Sequence, residues 1–149
     1  MCQGLVKEWT IYSRHSSEKV VYMDVWRRER QTVYKLIGTN VLTVNKVGLK
    51  TFSVPDKDQI FVQVGDIVGF HYDRVTPLVI PFAEEKDGIY DKNDLYDTVV
   101  ATMYHTDVVT GNSYTFDRSN FLPKNRIPSV RVHVQNSKLL LIILMIEFT

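Results

Sequence analysis

The residues best suited to bind a metal ion lie in one acidic stretch. They are Asp87, Asp91, Asn93 and Asp97, with Glu84, Glu85 and Asp94 among them. Ca²⁺ binds several carboxylate and amide oxygens without a fixed spacing, so the first four are candidate calcium ligands. Leu95 stands where a third ligand of a D-x-[DN]-x-[DN]-G loop would fall, so the pattern is not that of an EF-hand. A solvated charged loop is the alternative interpretation.

The same stretch holds two tyrosines that could bind a sugar. Tyr90 and Tyr96 could stack on a sugar ring while Asp94 accepts hydrogen bonds from its hydroxyl groups. Trp9 and Trp26 lie in strand-like runs, where burial in the core is the usual fate of a large aromatic side chain. The loop tyrosines are therefore the candidate ligand-binding aromatics.

A second candidate surface is a short basic segment. Arg27 and Arg28, followed by Glu29 and Arg30, lie at the end of a strand-like run. Guanidinium groups bind sulfate and carboxylate groups through paired hydrogen bonds, so an anionic partner such as a sulfated glycan is one interpretation. A solvated hairpin tip is the other.

Catalytic patterns are weak. A glycosidase needs two carboxylates roughly 5–10 Å apart, and Glu8 and Asp24 are candidates only if their strands are neighbours. The histidines at positions 15, 71, 105 and 133 show no metal-binding spacing, and there is no G-x-S-x-G motif or glycine-rich phosphate loop. We therefore predict no catalytic residues and no enzyme, with a β-sandwich glycoside-processing enzyme as the remaining alternative.

Composition limits the partners. The 149 residues fit one domain, and a net charge of +1 provides no general attraction to nucleic acid. The single cysteine, Cys2, excludes an internal disulfide; it is either a free thiol or pairs outside this chain. The start of the chain lacks the features of a signal peptide. The apolar run at 139–146 is far shorter than the roughly 20 residues of a membrane helix, so we expect no membrane insertion.

Alternating hydrophobicity predicts the elements that carry these residues. Val130, Val132 and Val134 are predicted to face inward, and so are two further sets: Val21, Met23 and Val25, and Ile60, Val62 and Val64. Turn residues separate the runs, as at 38–40, 45–48, 55–58, 64–66 and 110–113. We predict an all-β, two-sheet antiparallel sandwich of about eight to ten strands with a jelly-roll-like arrangement. Residues 1–136 form the predicted recognition domain, and 137–149 are an apolar tail, either a last strand or a non-native end.

Several motifs together carry a family resemblance. They are Cys2-x-Gly4-x-Val6-x-x-Trp9, Val25-Trp26-Arg27, Tyr34 to Gly38, Phe52-x-Val54-Pro55 and Ile60 to Tyr72. In this order they resemble a jelly-roll-like β-sandwich module of invertebrate extracellular and cell-surface multidomain proteins. The resemblance covers roughly Cys2 to Val134, and the residues from Ser137 onward depart from it.

The resemblance implies a function and a compartment. We expect a non-catalytic extracellular or cell-surface module of recognition or adhesion, part of a larger multidomain protein, that binds a protein or glycan ligand through its loops. A carbohydrate-binding, lectin-like domain assisted by calcium is the alternative. These expectations come from the resemblance and not from composition.

Overall fold

The computed structural model describes residues 3–13, 16–71, 108–116, 130–135 and 143–145. Nine strands lie in these ranges, together with one 3-10 turn at Asp56–Asp58. The strands are β1 (Gly4–Ser13), β2 (Lys19–Arg28), β3 (Val33–Val44), β4 (Gly48–Ser53), β5 (Phe61–Val62), β6 (Ile67–His71), β7 (Ser113–Thr115), β8 (Val130–Val134) and β9 (Ile143–Met145). They form two packed sheets, which confirms the predicted all-β two-sheet sandwich.

The first sheet is built around β1. β4 and β8 both pair with residues 8–11 of β1 and so lie along its opposite edges, and β5 pairs with Gly4 and Leu5. All of these pairings are antiparallel. The second sheet has the order β7-β3-β2-β6-β9. Its pairings are antiparallel except that β9 runs parallel to β6.

The main core lies between the two sheets and follows the alternation of the sequence. Val130, Val132 and Val134 are at most 6% exposed, and Val21, Met23 and Val25 are fully buried. These residues pack with Trp9, Ile11 and Phe70 in one apolar cluster. The inward positions predicted for both valine-rich strands are therefore confirmed.

A bulge between β2 and β3 creates a second apolar cluster. Val25 pairs with Gly38, but the next residue, Trp26, pairs with Leu36, so one residue of β3 is left over. A shift of one residue moves the following side chains to the other face of a sheet. Trp26 lies on the outer face by the alternation of β2, and the bulge brings Leu36 to the same face, where both pack with Tyr34, Ile67, Tyr114 and Phe116.

One predicted turn is wrong. The segment Gly38-Thr39-Asn40 is not a turn but the middle of the 12-residue strand β3. Gly38 is needed there for space, because a Cβ at this position would lie 2.9 Å from Cγ1 of Ile60. Asn40 is held between the sheets, since its Oδ1 accepts a hydrogen bond from Nε1 of Trp9 at 2.9 Å. Packing therefore requires a glycine and an asparagine at these positions. The same residue types are common in turns, which is why the sequence suggested a turn here.

One predicted core residue is also wrong. Val62 is 5% exposed as expected and Ile60 packs against the core, but Val64 is 71% exposed. The strand ends at Val62 because the chain turns at Gly65, whose φ is +93°. Residues other than glycine rarely adopt such a φ. The turns predicted near Gly48 and Gly111 are present, and both glycines also have positive φ.

The end of the chain contributes to the second sheet. Three residues of the C-terminal apolar run, Ile143–Met145, form β9 and pair with Val68, Gly69 and Phe70 of β6. In the part of the chain that the structure describes, no helix is long and apolar enough to cross a membrane.

Candidate functional site

Two groups of polar side chains stand out in the described residues, and both involve strands of the second sheet. The first is a buried pair on its outer face, made by Asp24 and His71. The second we call the arginine end. It consists of residues 27–35, which include the β2–β3 connection, and of the β5–β6 turn at 63–66.

Strand pairing brings Asp24 and His71 together. On β2, Asp24 points away from the main core because its neighbours Met23 and Val25 point into it. β6 runs antiparallel beside β2, with Tyr22 opposite His71 and Asp24 opposite Gly69. His71 and Asp24 are therefore diagonal neighbours on the same face of the sheet.

The contacts of this pair are short and buried. Nδ1 of His71 lies 2.6 Å from Oδ2 of Asp24, and the Thr39 hydroxyl donates a hydrogen bond of 2.6 Å to Oδ1. Asp24 is fully buried and His71 is 7% exposed. The Tyr22 ring stacks on the imidazole with centroids 4.5 Å apart. Loss of water around the carboxylate raises the pKa of Asp24, and the contacts with His71 and Thr39 counteract part of this rise.

A histidine held at Nδ1 by a carboxylate is an arrangement used in nucleophile activation and in metal binding. Either chemistry needs a further group. The Thr39 hydroxyl is used by Asp24, and the described ranges contain no set of three His, Cys, Asp or Glu residues that could hold a metal ion. Within these residues, the pair therefore joins β2, β3 and β6 by hydrogen bonds.

The arginine end is held by a paired ionic contact. Trp26 is opposite Ile67, so the next positions, Arg27 and Asp66, are also neighbours. Nε and Nη2 of Arg27 each donate a hydrogen bond of 2.8 Å to the Asp66 carboxylate. These hydrogen bonds, which the Asp66 carboxylate accepts, raise the pKa of Arg27. Asp66 also accepts a hydrogen bond from the backbone N–H of Gln63, which closes the β5–β6 turn.

Arg28 fixes the neighbouring connection. Its Nε donates to the backbone oxygen of Arg30 and its Nη2 to that of Gln31, both at 3.1 Å. The segment 108–116 adds a further contact, because the Ser113 hydroxyl donates a hydrogen bond of 2.7 Å to Glu29. Both arginines predicted as ligand-binding residues thus have internal partners that set the shape of this end.

The remaining predicted site residues have different outcomes. The candidate ligand-binding residues Tyr90, Tyr96 and Asp94 and the candidate calcium ligands Asp87, Asp91, Asn93 and Asp97 lie outside the described residues. Their roles remain predictions. The carboxylates considered for a glycosidase are not brought together. Glu8 is on β1 and points away from the core that buries Trp9, whereas Asp24 lies on the outer face of the other sheet.

Two functional candidates were missed by the sequence interpretation, namely the Asp24–His71 pair and Asp66. The residues of the pair are 47 positions apart, and only the pairing of β2 with β6 makes them neighbours. Asp66 had a weak signal: it follows the turn residue Gly65 and directly precedes a strand, where an aspartate often accepts local backbone hydrogen bonds. In comparisons with known proteins, no family model, no curated protein and no solved structure matches this chain.

Proposed function

We propose that this chain is a non-catalytic recognition or adhesion module that binds a protein or glycan ligand with loops at one end of its sandwich. The observation that carries the proposal is the arginine end, where the β2–β3 connection of one sheet and the β5–β6 turn between the two sheets are held in fixed positions by side-chain contacts. An extracellular or cell-surface location and a place in a larger multidomain protein belong to the same proposal, and they rest on the resemblance of the motifs.

Preorganisation supports this proposal. Ordering a loop when a ligand binds costs free energy, so a loop that is already ordered binds more tightly. At the arginine end, Asp66 holds both Arg27 and the β5–β6 turn, while Arg28 holds two carbonyl groups of the β2–β3 connection. Binding residues are commonly found on loops that a rigid scaffold positions in this way.

The charged side chains that are buried in the described residues also favour binding over catalysis. Asp24 is satisfied by His71 and Thr39, and Asp66 by Arg27 and Gln63. Glu8 faces the opposite side of the sandwich from Asp24, so these two carboxylates do not flank a common cleft. The proposed module therefore uses its polar side chains to fix its shape.

A glycan array tests the proposal. The full chain is applied at millimolar calcium and again with a chelator, beside a panel of extracellular matrix and cell-surface proteins as ligands. We expect saturable binding to a restricted set of ligands and no cleavage of bound glycans, measured as released reducing sugar. Binding lost with the chelator would favour the calcium-assisted lectin. Turnover of any bound glycan, or the absence of binding to every ligand, would contradict the proposal.

Charge-reversal variants locate the binding end. Arg30→Glu changes an exposed residue of the arginine end, and Lys46→Glu makes the same change in the exposed β3–β4 turn. Twelve residues of β3 separate the two turns, so they lie at opposite ends of the sandwich. We expect the first variant to weaken binding of the ligand found on the array and the second to leave it unchanged. The reverse result would place the binding surface elsewhere.

A further inference from the structure

The arginine end has more positive than negative side chains. Residues 27–35 and 63–66 contain four cations and two carboxylates. They are Arg27, Arg28, Arg30 and Lys35 against Glu29 and Asp66. The chain as a whole has a net charge of only +1, so this excess is a local feature. One of the two carboxylates, Asp66, is buried and already bound to Arg27.

Two of these cations are direct neighbours in the sheet. Strand pairing places Arg27 of β2 opposite Lys35 of β3, with Asp66 on the other side of Arg27. Like charges opposite each other on neighbouring strands destabilise a sheet unless a counter-charge lies nearby. Among the described residues the Lys35 ammonium group has no hydrogen-bonding or ionic partner, so Asp66 compensates Arg27 alone.

The Arg27 guanidinium is fixed and still has donors to offer. Its contacts with Asp66 use Nε and Nη2, and in the part of the chain that the structure describes Nη1 has no acceptor. The side chain is 36% exposed. A guanidinium held from one side by a carboxylate presents its remaining N–H groups in a fixed plane, which suits the oxygens of a sulfate or carboxylate group.

The side chains along this row are polar throughout. Across the strands β7, β3 and β2 and the residue before β6, the sequence of neighbours is Ser113, Lys35, Arg27 and Asp66. Protein–protein interfaces usually depend on apolar or aromatic residues at their centre, and this row provides none. An acidic polysaccharide needs only charged groups and hydrogen-bond donors.

From these observations we infer that Lys35 and the exposed side of Arg27 bind the sulfate or carboxylate groups of an acidic glycan. The inference names the ligand class of the recognition module and therefore rests on the proposed function. Arg27 supplies fixed hydrogen-bond donors, and Lys35 supplies a positive charge beside it. The ligand's anionic group provides the counter-charge that the sheet itself lacks.

Titration of the full chain with a heparin oligosaccharide, followed by calorimetry, tests this inference. Lys35→Gln removes one charge from a partly exposed side chain and leaves every described hydrogen bond in place. We expect it to weaken binding about three- to fivefold, the loss of one exposed ionic contact. We also expect the slope of log affinity against log salt concentration to decrease by about one. Lys35→Arg should bind as the wild type does, and Lys46→Gln is the matched control at the opposite end.

Each outcome separates this inference from the proposed function. Equal affinities of Lys35→Gln and wild type for heparin would overturn the inference. Equal affinities of the wild type for heparin, polyglutamate and DNA would also overturn it, because they would indicate charge attraction alone. Failure to bind any sulfated or carboxylated glycan, with another ligand found on the array, would overturn it and leave the recognition function standing. Failure to bind any ligand at all would remove both.

Discussion

The Asp24 carboxylate lies 2.6 Å from Nδ1 of His71, and both side chains are buried on the outer face of the five-stranded sheet. This contact connects the middle of β2 to the last described residue of β6. The Thr39 hydroxyl on β3 donates a hydrogen bond to the same carboxylate. Three strands of one sheet are thus joined through a single acidic side chain, outside the main core.

Replacing Asp24 tests how much this contact contributes to stability. We expect Asp24→Ala to lower the free energy of unfolding by about 3 kcal/mol, because the hydrogen-bond donors of His71 and Thr39 lose their buried acceptor. Urea unfolding at neutral pH measures the change. Glu8→Ala is the control, since this carboxylate lies on the other sheet and has no hydrogen-bonding or ionic partner among the described residues; we expect a change within about 0.5 kcal/mol. Equal effects of the two substitutions would contradict the prediction.

The stability of the fold should depend on pH through Asp24. Burial raises the pKa of this carboxyl above its ordinary value of 3.8, so the folded chain binds a proton at a pH where the unfolded chain has released it. The resulting stabilisation is complete below the ordinary value and is lost as the pH rises through the raised pKa.

Asp24→Asn removes this titration, and urea unfolding of both proteins from acidic to neutral pH measures the effect. We expect the wild type to gain stability relative to the variant as the pH falls toward 3.8. A difference that stays constant with pH, or one that changes in the opposite direction, would show that the pKa of Asp24 is not raised.

The two tryptophans provide a matched pair of substitutions. Both are fully buried, but Nε1 of Trp9 donates to Asn40, whereas Nε1 of Trp26 has no hydrogen-bond acceptor among the residues that the structure describes. We expect Trp9→Phe to lower the free energy of unfolding by about 1–2 kcal/mol more than Trp26→Phe does, because only the Trp9 substitution leaves the buried oxygen of Asn40 unpaired. Thermal or urea unfolding of the two variants gives the comparison. A larger cost for Trp26→Phe would mean that its edge-to-face contacts with Tyr114 and Phe116 outweigh the hydrogen bond.

The close approach of Gly38 and Ile60 can be tested by a double-mutant cycle. Gly38→Ala should destabilise the fold by about 1–3 kcal/mol, since the added methyl group meets the Ile60 side chain. Ile60→Val removes one methyl group from that contact. We therefore expect the double variant to be more stable than the sum of the single effects predicts. Simple additivity would show that the two residues do not press on each other.

Alternating hydrophobicity was sufficient to predict the fold class. The valines at 130, 132 and 134 and the set Val21, Met23 and Val25 are buried as the pattern predicts, because a strand places alternate residues on one face regardless of its neighbours. Turns with glycines at 48, 65 and 111 were also identified, since a positive φ is a local property that selects glycine.

Position within the sheets could not be predicted from the sequence. The bulge opposite Val25 moves Leu36 and Tyr34 to the outer face. Gly38 and Asn40 are residue types common in turns, so the sequence did not show that β3 is one continuous strand. Similarly, the partners of Asp24 and Arg27 lie 47 and 39 positions away. Such contacts depend on which strands are neighbours and in which register.

The amino-acid sequence by itself determined that the chain forms strands, which side chains of β2 and β8 face a core, and where several turns occur. These features follow from local geometry and from the burial of apolar surface. Only the tertiary structure decided which charged residues meet, because strand order and register bring distant positions within hydrogen-bonding distance. The pairing of Arg27 with Asp66 beside Lys35, on which the proposed glycan contact depends, is a consequence of that order.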